Sequence, residues 1–422
     1  MSAAPSPGPR TGLARLLPAG VDPGAVPLLA ARGLRAFGDG YMAVLLPAYL
    51  LSIGLGTLEV GIVATATMLG SALATLAVGA WGYRFAGGRL LRGAALLMAA
   101  TGLGFAGLTS FWPLLIVALV GTLNPSSGDV SVFLPLEHSR LAAAAQGHAR
   151  TALFARYSLL GALCAALGAL AAAVPDWLVR HSGLTRIDAL RGMFVVYAAI
   201  GLAVFWLYRK LPAHVGTGSS SANGAPVPPA PLGPSRRVVM RLAALFSVDS
   251  FAGGLAINAL MSLWLLERFG LSLTQAGVFF FWTGLLGAAS QLAAPVVARR
   301  IGLLNTMVFT HLPANVCLVL AALAPSLPIA LGLLMVRSAL SSMDVPTRTA
   351  YVMAVVTPAE RSAAASFTAV PRSLAAAISP TISGALFAAG WISLPLIACG
   401  LLKIGYDLAL WRAMRRDRVE GE

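Results

Sequence analysis

The chain has 422 residues, of which 58% are hydrophobic and only 11% are charged, and its mean hydropathy is +0.81. A soluble globular protein carries about 25% charged residues, so this composition excludes that class and indicates an integral membrane protein. Apolar runs of about 20 residues predict helices, because the strands of a membrane barrel would alternate over about 10 residues. The net charge of +15 comes mainly from arginine and is typical of cytoplasmic loops rather than of a nucleic-acid site.

Twelve membrane spans are predicted from the apolar runs. They cover 26–53, 59–82, 91–109, 112–137, 150–174, 189–208, 239–266, 273–297, 303–323, 327–354, 362–388 and 392–412. The intervening residues 210–238 are rich in Pro, Gly and Ser and predict a cytoplasmic linker. This linker divides the chain into two six-helix bundles, 26–209 and 239–412, and a disordered tail is expected at 1–25 and a second tail at 413–422.

Basic residues set the expected orientation of these spans. They are concentrated in the loops after even-numbered spans, in the linker and in the C-terminal tail, whereas the opposite side has little beyond Arg180, Arg186 and Arg268. The positive-inside rule therefore predicts that both termini are cytoplasmic. We expect an integral protein of a bacterial inner membrane that acts as a monomer in the lipid bilayer.

Residue types that mark disulfides, metals or catalysis show no recognisable pattern. Cys164, Cys317 and Cys399 have no paired spacing, and the histidines do not cluster. We find no phosphate-binding loop and no catalytic dyad. We therefore expect no metal, no cofactor, no enzymatic activity and no nucleic-acid partner.

The two halves of the chain look like repeats of one another. GLGTLEVG at 54–61 aligns with GLSLTQAG at 270–277, an offset of 216 residues. Each half has an even number of predicted spans, so the repeats share one orientation. Their pseudo-twofold axis is then expected to run along the membrane normal.

A second match between the halves involves rarer, charged residues. SSGDV around Asp129 recurs as SSMDV around Asp344, and an arginine follows each copy, Arg156 after 27 residues and Arg372 after 28. Each aspartate lies at a depth in its span similar to that of its arginine. We therefore predict two duplicated ion pairs, Asp129–Arg156 and Asp344–Arg372, which either gate the protein and hold helices together or contact the solute.

The turn between the second and third spans carries a family resemblance. It reads GAWGYRFAGGR from Gly79 to Arg89 and is similar to the Gly-x-x-x-Asp-Arg-x-Gly-Arg-Arg pattern of the major facilitator superfamily. Gly79, Arg84 and Arg89 match this pattern, whereas Tyr83 stands at the acidic position.

Two further segments extend the resemblance over roughly 26 to 412. The second half has a counterpart of the same turn at Arg300 and Gly302, and Glu360 and Arg361 lie in a stretch that resembles the family's Pro-Glu-x-Arg loop. The resemblance implies an all-α fold of two six-helix bundles and assigns the matched residues of these turns to a cytoplasmic gate.

The resemblance also implies that spans one, four, seven and ten line a central cavity, with spans two, five, eight and eleven beside them. Charges at the centre of a membrane helix cost about 2.5–3.5 kcal/mol each, so they indicate a protein interior or an aqueous cavity. The candidates for substrate contact are Arg35, Asp129, Arg156, Arg337, Asp344, Arg348, Tyr351 and Arg372. Helical spacing places Arg337, Asp344, Arg348 and Tyr351 on one stripe of span ten.

Two acids are candidates for proton coupling. Asp39 lies deepest, between two glycines, and Asp249 lies in span seven. A carboxylate at such a depth is expected to titrate as its access to water alternates. Lys403 and Asp407, four residues apart in the peripheral span twelve, are expected to form a structural pair.

These features favour a proton-linked secondary transporter that moves a small organic solute by alternating access. The arginines favour an anionic or strongly polar solute, and family frequency favours export. The alternative is a related protein that no longer transports and acts as a sensor or membrane partner. The altered gate pattern favours this alternative, and the duplicated buried charges oppose it.

Overall fold

The computed structural model describes residue 17 and residues 21–126, 131–145, 147–211, 232–357 and 360–415. Regular secondary structure within these ranges is helical throughout, as the hydropathy pattern predicted. Most of the expected N-terminal tail, most of the linker and of the C-terminal tail, and Asp129 lie outside the described residues.

Sixteen α-helices are found in the described ranges. They are α1 (Val26–Ser52), α2 (Thr57–Trp81), α3 (Gly87–Gly107), α4 (Phe111–Val120), α5 (Phe133–Ala144), α6 (Gly147–Leu170), α7 (Val174–Ser182), α8 (Arg186–Arg209), α9 (Arg236–Gly254), α10 (Asn258–Phe269), α11 (Leu273–Ile301), α12 (Leu303–Leu323), α13 (Leu327–Ser341), α14 (Asp344–Ala354), α15 (Arg361–Ala388) and α16 (Leu394–Met414).

Three predicted spans, the fourth, seventh and tenth, are each divided in two, into α4 and α5, α9 and α10, and α13 and α14. The prediction of one continuous helix is wrong at these places. Pro125 lies in the first break and lacks an amide donor, while Gly253 and Gly254 precede the second and are weak helix formers. The third break lies at Ser342 and Met343. In a continuous helix the Ser342 carbonyl would accept a hydrogen bond from the amide of residue 346, but Pro346 has no amide hydrogen to donate.

Nine stretches of the described chain are long and apolar enough to cross a membrane. Large apolar side chains are also exposed on the outer surface, with Trp112 at 72% and Leu323 at 60% exposure. Such a surface is typical of a protein that faces lipid. The total of twelve spans stays a prediction, because α1 and α15 carry more polar residues and the fourth span is divided.

The helices α2 and α11 begin in the same way, 216 residues apart. The Glu59 side chain accepts a hydrogen bond from the Gly56 amide at 3.0 Å, and the Gln275 side chain accepts one from the Ser272 amide at 3.0 Å. Both bonds satisfy an amide that the first turn of a helix leaves without a partner. The aligned stretches of the sequence thus form the same local structure.

Helix packing follows a repeated pattern. In the first half α1 packs against α6 and α8, α3 against α8, and α2 against α4. In the second half α9 packs against α15 and α16, α12 against α16, and α11 against α13. The halves meet where α2 packs against α15, α6 against α11, and α1 against α10.

We call the end of the helices where α8 ends and α9 begins the linker end, and the opposite end the far end. Close contacts between the halves lie toward the far end. A Cβ atom on Gly61 would lie 2.6 Å from the carbonyl oxygen of Pro380, and one on Gly277 would lie 2.5 Å from that of Ala169. These two contacts, with Gly384 opposite Gly61, form what we call the far-end interface.

Hydrogen bonds between side chains and backbone join the halves at the same end. Thr65 Oγ1 accepts from the amide of Thr381 at 3.0 Å and from its hydroxyl at 2.8 Å. Asp176, on the short helix α7, accepts from the hydroxyl and the amide of Thr274 at 3.1 and 3.3 Å. The two halves therefore contact one another through glycines and neutral donors at the far end.

At the linker end, the Glu360 carboxylate joins the start of α9 to the turn before α15. It accepts hydrogen bonds from Ser235 Oγ at 2.7 Å, from Thr357 Oγ1 at 2.7 Å and from the amide of Gly233. These bonds stabilise the ionised carboxylate and lower the pKa of Glu360 to about 2.

Replacement of Glu360 by Gln is expected to lower the Tm of the detergent-solubilised protein, because an amide accepts through only one oxygen. A lowered pKa means that the stabilising effect is present above the ordinary carboxyl pKa and is lost as the pH falls through the folded-state value. The Tm difference between Glu360→Gln and wild type should therefore be constant from about pH 5 to 8.

The neighbouring substitution Arg361→Gln is the control, since Arg361 is exposed and its Nε donates to the Met353 carbonyl at 3.3 Å. Its Tm should stay close to that of the wild type. Equal Tm values for Glu360→Gln and Arg361→Gln would show that the Glu360 contacts do not hold the linker end together.

Candidate functional site

A cavity of about 260 Å³ lies between the two halves of the chain. Helices α1 and α6 form one wall, α11 and α13 form the other, and Asn258 of α10 completes the lining. Sites for small molecules commonly enclose roughly 300–1,000 Å³, so this cavity suits a small solute.

Small residues give the cavity its open space. Ala162, Ala165 and Ala166 face it from α6, at the spacing of one helix face, and Gly284 and Gly287 face it from α11. These side chains leave room between the helices that larger residues would fill. The family resemblance did not identify these alanines and glycines, because small residues occur throughout the sequence.

Arg337 is the one ionisable residue among the described residues that line this cavity. Its Nε is buried, and among the described residues it has neither a hydrogen-bond acceptor nor a carboxylate in an ion pair. Ser338, Ser341 and Ser342 follow it at the end of α13 and also line the cavity. The lining thus combines one cation with several hydroxyl groups.

Arg35 lies outside this lining and is paired with an acid that the sequence interpretation missed. Its guanidinium forms a buried salt bridge with Glu137 of α5. Glu137 also accepts hydrogen bonds from Tyr157 at 2.5 Å and from Tyr208 at 2.6 Å. The span prediction placed Glu137 at the border of a loop, although an acid in the apolar run FLPLEH was an available signal.

Asp39 lies on α1 beside Gly40, which lines the cavity. Its carboxylate accepts a long hydrogen bond of 3.5 Å from the hydroxyl of Tyr197 on α8. Arg35, one turn earlier on α1, forms its salt bridge with Glu137. Asp39 is therefore next to the cavity without being part of its lining.

Asp249 is the centre of a buried charge network in the second half. It accepts from Arg348 of α14 at 2.9 Å and from Lys403 of α16 at 2.6 Å. Arg348 also pairs with Asp344, four residues earlier on α14. Tyr351 is fully buried one turn further along α14. The network joins α9, α14 and α16.

The expected pair between Lys403 and Asp407 is wrong. Lys403 binds Asp249, whereas Asp407 accepts from His311 at 2.9 Å and from Asn315 at 3.0 Å. Both side chains of α16 thus point to other helices, which spacing along one helix cannot reveal. Span twelve therefore contributes Lys403 and Asp407 to the interior of the second half, and these two side chains do not form a separate pair at its periphery.

The expected ion pair between Asp344 and Arg372 is also wrong. Arg348 lies on the same helix and takes the position next to Asp344, while Arg372 Nε donates to Ser250 Oγ at 3.2 Å. Similar depth in the membrane does not determine which way two helices face. The proposed copy in the first half stays a prediction, since Asp129 lies outside the described residues, and Arg156 is exposed.

The break before α14 also separates Arg337 from Asp344, so the predicted stripe is not continuous. Arg337 lines the cavity, whereas Asp344 and Arg348 belong to the charge network.

The residues expected at the gate lie at the linker end, in or beside the turns α2–α3, α11–α12 and α14–α15. Those with exposed side chains are Arg84, Arg89, Arg300 and Arg361, whereas Glu360 is buried and Gly79 and Gly302 lie at the ends of α2 and α11.

Several solved transporter structures share this architecture. A bacterial homolog to the human lysosomal transporter Spinster, inward-facing and unoccupied, has a TM-score of 0.71 at 14% identity and covers 94% of this chain and 98% of that chain. A D-xylose-proton symporter has a TM-score of 0.70 at 16% identity, with 92% and 97% covered. At these identities the likeness shows the fold alone.

A relative with similar sequence is the uncharacterized membrane protein YJR124C of Saccharomyces cerevisiae. It is 24% identical over 410 residues, which covers 89% of this chain and 91% of the yeast protein. The match runs through both halves and supports an integral membrane protein.

The family model described as the Major Facilitator Superfamily matches residues 28–340, well over half of the chain. The helices, the cavity between two halves and the structural relatives agree with this match. The chain therefore belongs to the Major Facilitator Superfamily and is a transporter rather than an enzyme.

Proposed function

We propose that this protein is a proton-coupled secondary transporter that moves a small organic solute through its central cavity by alternating access. Twelve spans would form two six-helix bundles, 26–209 and 239–412, related by a pseudo-twofold axis along the membrane normal. Both termini and the linker end would face the cytoplasm of a bacterial inner membrane. Export is the proposed direction, from the frequency of exporters in the family.

The repeated packing supports the two-bundle arrangement. Each contact in the first half has a counterpart six spans later, such as α1 with α6 and α9 with α15, or α3 with α8 and α12 with α16. The capping bonds of Glu59 and Gln275 are 216 residues apart, as expected for two copies of one unit.

The observation that carries the proposal is the far-end interface. Gly61 and Gly277 are also 216 residues apart, and each contacts backbone of the opposite half. The contacts of α2 with α15 and of α6 with α11 are therefore equivalent under the proposed axis. A cavity that two equivalent helix pairs close at one end is what a rocking movement of two bundles requires.

The charged groups take different roles in this proposal. Asp39 carries the proton, since it lies beside the cavity and its hydrogen bond to Tyr197 is long. Asp249 is the counter-ion of both Arg348 and Lys403, and its protonation would leave Lys403 without its ion pair. The salt bridge of Arg35 with Glu137 and the Asp249 network hold the helices of each bundle together. The exposed arginines of the gate, Arg84, Arg89, Arg300 and Arg361, take part in closing the linker end.

Replacement of Gly384 by Leu is expected to open the far end. A Cβ atom there would lie 2.7 Å from the carbonyl oxygen of Thr57, and overpacking of this kind costs about 1–3 kcal/mol. In a background with Cys164, Cys317 and Cys399 replaced by Ser, Ser338→Cys should react with a membrane-impermeant maleimide from the linker side. Gly384→Leu should raise the rate at which the maleimide labels Ser338→Cys from the far side by roughly tenfold or more.

Gly192→Leu is the matched control, because no atom lies within 4 Å of a Cβ at that helical glycine. It should leave the labelling from both sides as in the Ser338→Cys background. If Gly384→Leu gave the same far-side rate as Gly192→Leu, the far-end interface would not control access to the cavity.

Asp39→Asn is expected to abolish the pH dependence of access. The described charged and titratable groups that act on Asp39 include Arg32, Arg35 and Tyr41 of α1 and Tyr197 of α8. With the same Ser338→Cys labelling, the ratio of far-side to linker-side rates in the parent should change several-fold between about pH 5 and 8. The ratio in Asp39→Asn should be constant over that range.

Asp188→Asn removes an exposed carboxylate at the start of α8 and should keep the pH dependence of the parent. An unchanged pH dependence in Asp39→Asn would assign the proton to another group and refute the role proposed for Asp39.

A further inference from the structure

We infer that the transported solute is a small organic monocarboxylate and that Arg337 binds its carboxylate in the cavity. This inference rests on the proposed function and specifies the chemical class of the solute. It follows from the charge, the size and the hydrogen-bonding groups of the cavity.

The charge of Arg337 is uncompensated among the described residues. Three buried cations elsewhere pair with described acids: Arg35 pairs with Glu137, and Arg348 and Lys403 share Asp249. Arg337 has no described carboxylate in an ion pair, and its Nε is buried without an acceptor. A partly buried guanidinium that faces a cavity without a counter-charge is electrostatically unfavourable, and a solute anion in the cavity would supply that charge.

The single guanidinium favours one negative charge over two. A dianion would bring an uncompensated charge into the cavity, whose lining contains no second described cation. A cationic solute would be repelled by Arg337 and would find no acid among the described residues of the lining. A carboxylate suits a guanidinium because two parallel hydrogen bonds can form between them.

The remaining polar groups indicate that the solute also carries hydroxyl or similar groups. Ser338 and Ser341 line the cavity beside Arg337, and Thr283 and Gln291 line it from α11. On the opposite wall the alanines of α6 offer apolar contact only. The cavity therefore suits a small hydroxylated carboxylate whose carbon chain lies against α6.

The test measures the Tm of the full-length protein in detergent with a panel of hydroxycarboxylates of increasing length, from glycolate and lactate to gluconate. Each acid is paired with its primary amide, which has nearly the same size and no charge. At least one acid should raise the Tm of the wild type by mass action, and its amide should not. Inorganic phosphate and chloride should give no comparable rise.

Arg337→Gln should weaken the binding of that acid by roughly tenfold or more, since hydrogen bonds to charged groups are worth about 1.5–3 kcal/mol. Arg337→Lys should retain part of the binding, and Arg236→Gln, at an exposed site on α9, should retain all of it. If Arg337→Gln does not fold, the comparison of acid with amide on the wild type still decides the charge requirement.

The inference is overturned if no acid of the panel stabilises the wild type, if an amide stabilises it as well as its acid, or if Arg337→Gln binds the acid unchanged. The labelling of Ser338→Cys needs no solute and tests alternating access separately. If Ser338→Cys were labelled from both sides and only the amides of the panel bound, the proposed transport function would be retained and the carboxylate solute would be rejected.

Discussion

The compensation of buried charge determines how the helices are arranged inside each half. A charge in the membrane interior is tolerated when a counter-charge or a polar group meets it, and loss of one partner from a buried pair commonly costs about 3–5 kcal/mol. The salt bridge of Arg35 with Glu137 fixes α1 against α5, and Asp249 fixes α9 against α14 and α16. With these sites neutralised inside each half, Arg337 remains as a cation among the described residues that line the cavity between the halves.

Much of the fold could be predicted from the sequence because lipid imposes a simple length requirement. Runs of about 20 apolar residues located the helices, and the offset of 216 residues located two helix starts that have the same capping bond. The breaks at Pro125 and Pro346 were also readable, since proline removes a backbone hydrogen bond. They were overlooked because hydropathy alone carried the prediction of these spans.

The partners of the buried charges could not be predicted, because partner choice depends on how each helix is rotated about its axis. Asp344 and Arg372 have similar depths, yet Asp344 pairs with Arg348 on its own helix. Lys403 and Asp407 have the right spacing for a pair, yet each is bonded to a different helix. Glu137 was missed for a different reason, since its position beside a predicted loop concealed its burial.

The chemistry of the far-end interface has a consequence for the energetics of the proposed cycle. None of the ion pairs between described residues crosses from one half to the other, and Gly61 and Gly277 contribute only dispersion contacts of about 0.1–0.2 kcal/mol per atom pair. Separation of these surfaces breaks no ion pair between described residues, and the carboxylate of Asp176 loses only its hydrogen bonds with Thr274. The free-energy difference between open and closed states can then be small, so that binding one solute molecule or one proton with a preference of a few kcal/mol is enough to reverse it.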